Sequence, residues 1–191
     1  MTTTNKKLEG KTIAILSTDG FEQSELEQPL TALQEAGAEV HIVTPDGKDI
    51  RGWNDGDWGD TVNADRSITD ARADNYDALV LPGGVMNPDK LRTREDATTF
   101  VREFFKAGKP VSAICHAPWI LIDCGVLDGR EVTSWPSLKN DLKNAGARWV
   151  DKEVVCDQAL TTSRSPADLP AFIDKTIEEI REGKHAGQKT A

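Results

Sequence analysis

The chain has 191 residues, of which 38% are hydrophobic and 29% are charged, a length that suits one domain with a single core. The 32 acidic residues outnumber the 23 lysines and arginines, and the net charge of −9 makes a nucleic-acid backbone an unfavourable partner. No stretch approaches the ~18 apolar residues that span a membrane, and the polar residues 1–11 do not resemble a signal peptide. Three cysteines at scattered positions argue against a disulfide framework and predict a reducing, cytoplasmic location.

The first half of the chain alternates strand-like runs with a helical pattern. We predict buried strands at the compact apolar runs of residues 12–16, 39–43 and 77–81. Residues 24–36 carry leucines at helical spacing, and Ser24 with Glu27 three residues later predicts a capping box at the helix start. Gly37 then occupies the position of a C-terminal cap.

The segment 46–60 is rich in glycine and aspartate. Counted from Asp55, its acidic residues suggest a calcium loop, but the twelfth position is Arg66, where such a loop needs a glutamate. We therefore predict a turn-rich excursion that forms a small hairpin or an interface. After the strand at 77–81, the run Pro82-Gly83-Gly84 predicts a turn at which backbone N–H groups can approach a ligand.

The second half continues the alternation. A helix is predicted over residues 94–107, with Thr93 as its cap. The other predicted elements are strands at 111–115, 130–134, 148–150, 154–156 and 159–163, and helices ending near 122 and covering 136–145 and 167–182. The tail from Gly183 is predicted to fray, which would leave His185 exposed to solvent. The whole pattern predicts an α/β fold with a mainly parallel sheet and helices on both faces.

The chemistry is predicted at Cys115 and His116, where an apolar run meets a helical pattern. The small residues Ala113 and Ala117 leave room for a sharp turn, so the pattern matches a nucleophile elbow with cysteine in place of serine. A helix beginning directly after the cysteine would favour the reactive thiolate through its free N–H groups. The competing interpretation is a buried cysteine without reactivity.

Three features are expected to meet at one edge of the sheet, because the carboxyl ends of parallel strands lie together. They are residues 19–25, the pair Gly83-Gly84 and the pair Cys115-His116. No nucleotide-binding loop and no zinc-protease motif occurs, and three scattered histidines leave little for a dedicated zinc site. We therefore predict neither a metal nor a cofactor. Cys124 and Cys156 are predicted to be packing residues.

These segments resemble the ThiJ/PfpI-type intracellular cysteine proteases and deglycases of the class I glutamine amidotransferase-like superfamily, over roughly residues 10–182. The matching pieces are Asp19-Gly20-Phe21-Glu22 with Glu25 and Pro29, Leu81-Pro82-Gly83-Gly84, Ala113-Ile114-Cys115-His116, and Thr162-Ser163-Arg164-Ser165-Pro166-Ala167-Asp168-Leu169. The resemblance implies a single domain over 1–191 with a flavodoxin-like α/β sandwich.

The resemblance also implies roles for individual residues. Cys115 is similar to the family's nucleophile, and Glu25 to the acid beside it, with Glu22 as the alternative. The backbone N–H groups of Gly83, Gly84 and His116 would form the oxyanion-binding site.

His116 would be the general base, and the resemblance implies that Asp89 orients it. In proteins of this kind the orienting acid comes from a neighbouring subunit, so a homodimer or higher homo-oligomer is implied. Ala117 departs from the glycine usual in the family, and with Trp119 it is expected to narrow the pocket.

Two functions follow from this resemblance. The first is a cysteine-dependent hydrolase, active in stress protection, that acts on peptide carbonyls or on aldehyde adducts of the glyoxal type. The second is a redox-responsive stress protein or holdase in which Cys115 is oxidised and turnover is minor. In both, the predicted partners are a second copy of the chain and a small carbonyl or peptide substrate, with no nucleic acid and no membrane.

Overall fold

The structure is a computed structural model that describes residues 7–188. Its strands are, in chain order, β1 (Thr12–Leu16), β2 (Phe21–Glu22), β3 (Glu39–Thr44), β4 (Ile50–Asn54), β5 (Asp57–Val62), β6 (Arg66–Ser67), β7 (Ala78–Leu81), β8 (Val111–Ile114), β9 (Glu131–Val132), β10 (Arg148–Trp149), β11 (Val154–Asp157) and β12 (Leu160–Ser163). Its helices are α1 (Gln23–Glu35), α2 (Met86–Arg92), α3 (Glu95–Lys106), α4 (Pro118–Cys124), α5 (Lys139–Asn144) and α6 (Leu169–Glu182). Within residues 7–188, no helix is both long and apolar enough to cross a membrane.

Seven strands form the central sheet, in the order β11-β12-β8-β7-β1-β3-β6. Every neighbouring pair is parallel except β11 with β12, which is antiparallel at the edge. The predicted α/β architecture with a mainly parallel sheet is therefore confirmed. The consequence for function is that β1, β7 and β8, which are adjacent in the sheet, all end at the same edge.

Helices cover both faces of this sheet, because alternate residues of its strands point to opposite sides. On one side, Ile13 and Ile15 pack with apolar residues of α1 and α6. On the other side, Ala14 and Leu16 belong to a core shared with α2, α3, α4 and α5. Burial on both faces explains why these strands appear in the sequence as continuous apolar runs.

Two predicted helix caps are wrong, and one helix was not predicted. Helix α1 begins at Gln23, so Ser24 lies inside it and its hydroxyl donates to Glu22 rather than forming a capping box. Thr93 does not begin α3; it ends α2, where its hydroxyl donates to the carbonyl of Lys90. Helix α2 itself was not predicted, because it is short, contains a proline and directly follows a glycine pair.

The segment 46–60 forms the small hairpin that was one of the two predicted alternatives. Strands β4 and β5 pair antiparallel, and β2 adds to β4 as a third strand. Asp55 and Gly56 occupy the turn with φ angles of 49° and 88°, the left-handed conformation that tight hairpin turns require. The residues that suggested a calcium loop thus serve a turn.

The C-terminal segment up to residue 188 is docked, which contradicts the predicted fraying. The backbone N–H of His185 donates to the carbonyl of Gly108 at 2.9 Å, and the Gln188 side chain donates to the carbonyl of Lys109. His185 is consequently half-buried rather than solvent-exposed. Residues 189–191, which also belong to the predicted frayed tail, lie outside the described part of the chain.

Candidate active site

Cys115 stands at the carboxyl end of β8 in a strained turn. Its φ angle is +62°, a left-handed value that costs a residue with a side chain about 1–2 kcal/mol. Two hydrogen bonds hold it there: its N–H donates to the carbonyl of Ser163, and its carbonyl accepts from the N–H of Trp135. This geometry is that of the predicted elbow, because the backbone reverses at the cysteine and the thiol is carried to the edge of the sheet.

The N–H groups near the sulfur differ from the prediction. Helix α4 begins only at Pro118, three residues after the cysteine, so its first turn does not start at the thiol. The backbone N–H groups of Gly84 and His116 instead lie near the sulfur and favour its negative charge. Two loops therefore supply the polarity that the sequence pattern assigned to a helix end.

Glu25 faces this cysteine from the first turn of α1 and is completely buried. Its Oε2 accepts the N–H of Gly83 at 2.9 Å, and the carboxyl group also lies against the Cys115 thiol. Burial raises the pKa of Glu25 to about 8, although the Gly83 N–H opposes the shift. The alternative acid, Glu22, is half-buried and accepts the Ser24 hydroxyl.

The pKa of Cys115 is also raised, which is opposite to the expected activation. The first cause is burial, because only 6% of the residue is exposed, and the second is the negative charge of Glu25. The N–H groups of Gly84 and His116 act in the other direction, but they do not outweigh burial. Because two adjacent buried negative charges are unfavourable, the pair Glu25–Cys115 retains at least one proton near neutral pH.

His116 lies beside the thiol in an aromatic setting. Its Nδ1 is 3.2 Å from the Cys115 sulfur, and its Nε2 is 3.3 Å from the hydroxyl of Ser137. The ring of Trp135 stacks on the imidazole, and Trp119 approaches it edge-on. Burial lowers the pKa of His116, so the imidazole is neutral and able to accept a proton at neutral pH.

Two residues predicted for the site are placed differently from the rest. Asp89 is exposed on α2, and the two side-chain partners of His116 within residues 7–188 are Cys115 and Ser137. The N–H of Gly83 is engaged by Glu25, so the N–H groups directed at the sulfur are those of Gly84 and His116.

Asn87 holds the glycine loop and was not predicted. It is 1% exposed on α2; its amide donates to the carbonyls of Pro82 and Gly83, and its oxygen accepts the N–H of Thr18. This role could not be predicted from the sequence, because a lone asparagine after a glycine pair has no distinguishing pattern. Ser137 and Trp135 were missed because they are 20 or so residues from the cysteine in sequence, on a loop whose path no local pattern indicates.

Gly84→Ala is expected to destabilise the protein by about 3 kcal/mol, from left-handed strain and from overpacking together. Its φ is +78°, and an added Cβ would lie 2.5 Å from the carbonyl oxygen of Gly20 and 2.6 Å from the nitrogen of Glu22. Chemical denaturation measures the change. Gly129→Ala is the matched control, since Gly129 has a φ of +72° with nothing within 4 Å of the added atom. Equal losses in the two variants would contradict the role of the close contact.

The amino-acid sequence of this chain matches a known protein family. The family model described as DJ-1/PfpI matches residues 11–179. A deglycase of Thermococcus kodakarensis is 44% identical over 169 residues, covering 88% of this chain and 99% of the relative. General stress protein 18 of Bacillus subtilis is 45% identical over 165 residues, covering 85% of this chain and 94% of the relative.

A solved structure shows the same architecture. A two-domain protein of Anabaena variabilis, with DJ-1/ThiJ/PfpI-like and ferritin-like domains, superposes with a TM-score of 0.84 at 35% identity. The match covers 89% of this chain but only 48% of the solved one, so this chain spans about half of that protein. Together, the family model and these relatives show that the chain belongs to the DJ-1/PfpI family, as its sequence resemblance implied.

Proposed function

We propose that this protein is a cysteine-dependent hydrolase that removes glyoxal-type aldehyde adducts. The observation that carries the proposal is the arrangement around the Cys115 sulfur, which has a neutral imidazole nitrogen at 3.2 Å, two backbone N–H donors and a buried carboxyl group as neighbours. The substrate class is supported by the similarity to a protein named as a deglycase.

In the proposed reaction, His116 accepts the thiol proton and the sulfur attacks the carbonyl carbon of the adduct. A carbon–sulfur bond forms, and the carbonyl electron pair moves onto the oxygen, where the N–H groups of Gly84 and His116 stabilise it. A protonated Glu25 adds no second negative charge beside the developing anion. The bond between the neighbouring carbinol carbon and its amine or thiol then breaks, the carbinol becomes an aldehyde, and His116 gives its proton to the departing amine or thiol. Collapse of the thiohemiketal breaks the carbon–sulfur bond and releases the dicarbonyl, which water hydrates, while the carbinol proton returns to the Cys115 sulfur.

Access to the thiol favours a small substrate over a peptide. Cys115 is nearly buried, while Trp135, whose ring stacks on His116, is 41% exposed. Ala117 does not narrow this entrance as expected, because its methyl group is buried in the core on one face of the sheet. Trp119 does lie against His116, so the aromatic rings restrict the space around the base.

An adduct assay tests the proposal. N-acetylcysteine and N-acetyllysine treated with methylglyoxal are incubated with the protein, and the adducts are followed by NMR beside a panel of unstructured peptides. We expect catalytic loss of adduct and little peptide cleavage. Protein alkylated at Cys115 with iodoacetamide is the control and should be inactive. Faster cleavage of peptides than of adducts would contradict the proposed substrate class.

Ser137→Ala is expected to lower kcat by about 3- to 10-fold with little change in KM. The Ser137 hydroxyl is 3.3 Å from Nε2 of His116, and one such hydrogen bond contributes about 0.5–1.5 kcal/mol. Steady-state kinetics over a pH range measures the change, because loss of a positioning partner should also alter the limb of the profile that belongs to His116. Ser67→Ala, on the distant edge strand β6, should leave the profile unchanged.

We further propose that Asp89 orients His116 of a second copy, because it is exposed and no carboxylate of the described chain bonds this imidazole. Asp89→Asn and Cys115→Ser should each be inactive alone. If the site is shared, mixing the two proteins allows mixed dimers to form with one intact site, and activity reappears. Absence of any recovery after subunit exchange, verified by native mass spectrometry, would contradict the sharing.

Oxidation of Cys115 is the second candidate function. The N–H groups at the sulfur could also hold the oxygen atoms of a sulfenic or sulfinic acid. Treatment with a low concentration of peroxide, followed by intact-mass measurement, should then show oxygen addition confined to Cys115, at a rate higher than that of adduct turnover.

The three cysteines are unpaired, which supports placement in a reducing compartment such as the cytoplasm.

A further inference from the structure

A second group of chemistry-bearing side chains lies at the C-terminal end of α6, away from Cys115. It consists of Glu179 and Glu182 on the last turn and His185 just beyond the helix. The two carboxylates are three residues apart and so share a helix face, and the chain turns back at Gly183, whose φ is +85°. One ligand atom from each side chain lies within 4.8 Å of the other two.

Glu179 is the buried member of this group, with 3% of its surface exposed. Its Oε1 is paired with the ammonium of Lys175 at 3.0 Å, but its Oε2 has no hydrogen-bond partner in the described chain. Nε2 of His185 is also without a hydrogen bond, although it lies 3.2 Å from that Oε2. A buried oxygen and an imidazole nitrogen thus face a common space without satisfying each other, which is costly unless something binds both.

The spacing of these atoms matches ligands of one metal ion. Two donors bound to a zinc ion at ~2.0–2.1 Å lie ~3.3 Å apart in a tetrahedral site, close to the separation of Oε2 and Nε2. The second carboxylate, at 3.9 Å from Nε2, reaches the same point by a small side-chain rotation.

The carboxylates at this helix end are unequally paired. The ammonium of Lys175 contacts Glu178 and Glu179, whereas the ion-pair contact of Glu182 within residues 7–188 is with His185. The negative end of the helix dipole adds to the negative potential of these carboxylates. Imidazole with carboxylate oxygens is a donor set that suits zinc and neighbouring transition metals better than magnesium or calcium.

We propose that Glu179, Glu182 and His185 form a binding site for a divalent transition metal of the zinc class, with water completing the coordination. This revises the prediction from sequence, in which scattered histidines left no metal site, because a single histidine is brought onto two helix carboxylates. The site is distinct from the cysteine centre. His185 and Gln188 bond to the backbone at Gly108, Lys109 and Ala159, which precede β8 and β12, so the metal lies at the opposite sheet edge from Cys115.

The proposed role of the ion is to fix the C-terminal segment to α6. Metal binding should therefore raise the melting temperature without changing turnover. The competing arrangement is an ion pair between a protonated His185 and Glu179 alone, which needs no metal.

The test uses full-length Cys115→Ser protein, so that the active-site thiol cannot bind the probe. After treatment with a chelator, it is titrated with Zn²⁺ by calorimetry and with Co²⁺ by visible spectroscopy. We expect one ion per chain, with binding at least 10-fold weaker in His185→Gln and in the more exposed Glu182→Gln variant. Glu178→Gln is the matched control on the same helix and should bind normally.

Three outcomes would overturn the proposal: no saturable binding, equal affinity in all variants, or a sulfur-to-cobalt charge-transfer band. The last would identify Cys156, which lies against Glu179, as the ligand in place of the histidine site. Cys156 lies outside the proposed donor set, and its thiol contacts the backbone carbonyl of Gln158. Cys156→Ser should accordingly retain the full affinity for Zn²⁺.

Discussion

Cys115→Ser is expected to reduce turnover of aldehyde adducts by about 10⁴-fold or more, as removal of a catalytic nucleophile does in other hydrolases. The substitution keeps the Cβ and the backbone contacts that hold the elbow at φ +62°, so the fold should be preserved. A serine hydroxyl in this position ionises far less readily than a thiol, and His116, whose pKa is lowered by burial, is too weak a base to compensate. The measurement is kcat/KM with a melting curve on the same sample.

Cys124→Ser provides the matched control for that experiment. Cys124 is also buried, on α4, but its sulfur contacts the carbonyl of Thr98 and takes no part in the site. Its replacement should leave turnover within a few-fold of the wild-type value. Unchanged turnover in Cys115→Ser would contradict the proposed chemistry. If the variant lost activity because it did not fold, the melting curve would show the loss of the folded state.

Glu25→Gln is expected to remove a large pH dependence of stability. The carboxyl pKa is raised from 4.5 to about 8 in the folded protein. Below pH 4.5 both folded and unfolded states hold the proton; as the pH rises from 4.5 to about 8, the unfolded state releases it first and stability falls. At about 1.36 kcal/mol per pKa unit, the wild-type protein loses roughly 5 kcal/mol across this range relative to the variant.

Denaturation of both proteins from pH 4 to pH 9 measures this difference. Glutamine mimics the protonated carboxyl, since it can accept the Gly83 N–H and donate toward Cys115. The difference in unfolding free energy should therefore be small at pH 4 and should grow with pH in favour of Glu25→Gln. Glu27→Gln, a partly exposed position on the same helix, should show no such trend. A parallel pH profile for Glu25→Gln and wild type would contradict the buried, protonated acid.

The same variant also tests the coupling between acid and thiol. Removing the charge of Glu25 removes one cause of the raised pKa of Cys115. The midpoint of Cys115 alkylation by iodoacetamide, mapped by mass spectrometry, should move to lower pH in Glu25→Gln. A midpoint that moves upward would show that the acid stabilises the thiolate more than it repels it.

The buried strands could be predicted from the sequence, because a strand that is buried on both faces of a sheet consists of consecutive apolar residues. The runs that became β1, β7 and β8 are continuous and apolar, and turn residues follow each of them. Helix caps and short elements were less predictable. Ser24 has the spacing of a capping box, yet β2 fixes the chain so that α1 starts one residue earlier and the serine falls inside it.

The electrostatics of the site could not be predicted in the same way. Sequence order placed Glu25, Gly83, Gly84 and Cys115 at one sheet edge, but the sign of a pKa shift depends on how completely each group is removed from water. A pattern of residues shows that an acid and a thiol meet. It does not show that both are buried, and burial is what raises both pKa values here.

Helix α2 connects the inside of the site to the protein's outer surface. Asn87 faces inward and holds the Gly83-Gly84 loop, while Asp89, two residues later and so on the other side of the helix, faces outward. A second copy that binds Asp89 would contact the same short helix that positions the N–H donors of the site. Specific activity per chain should then rise with protein concentration across the range in which the copies associate. Dilution alone would therefore lower the activity, because it separates the copies.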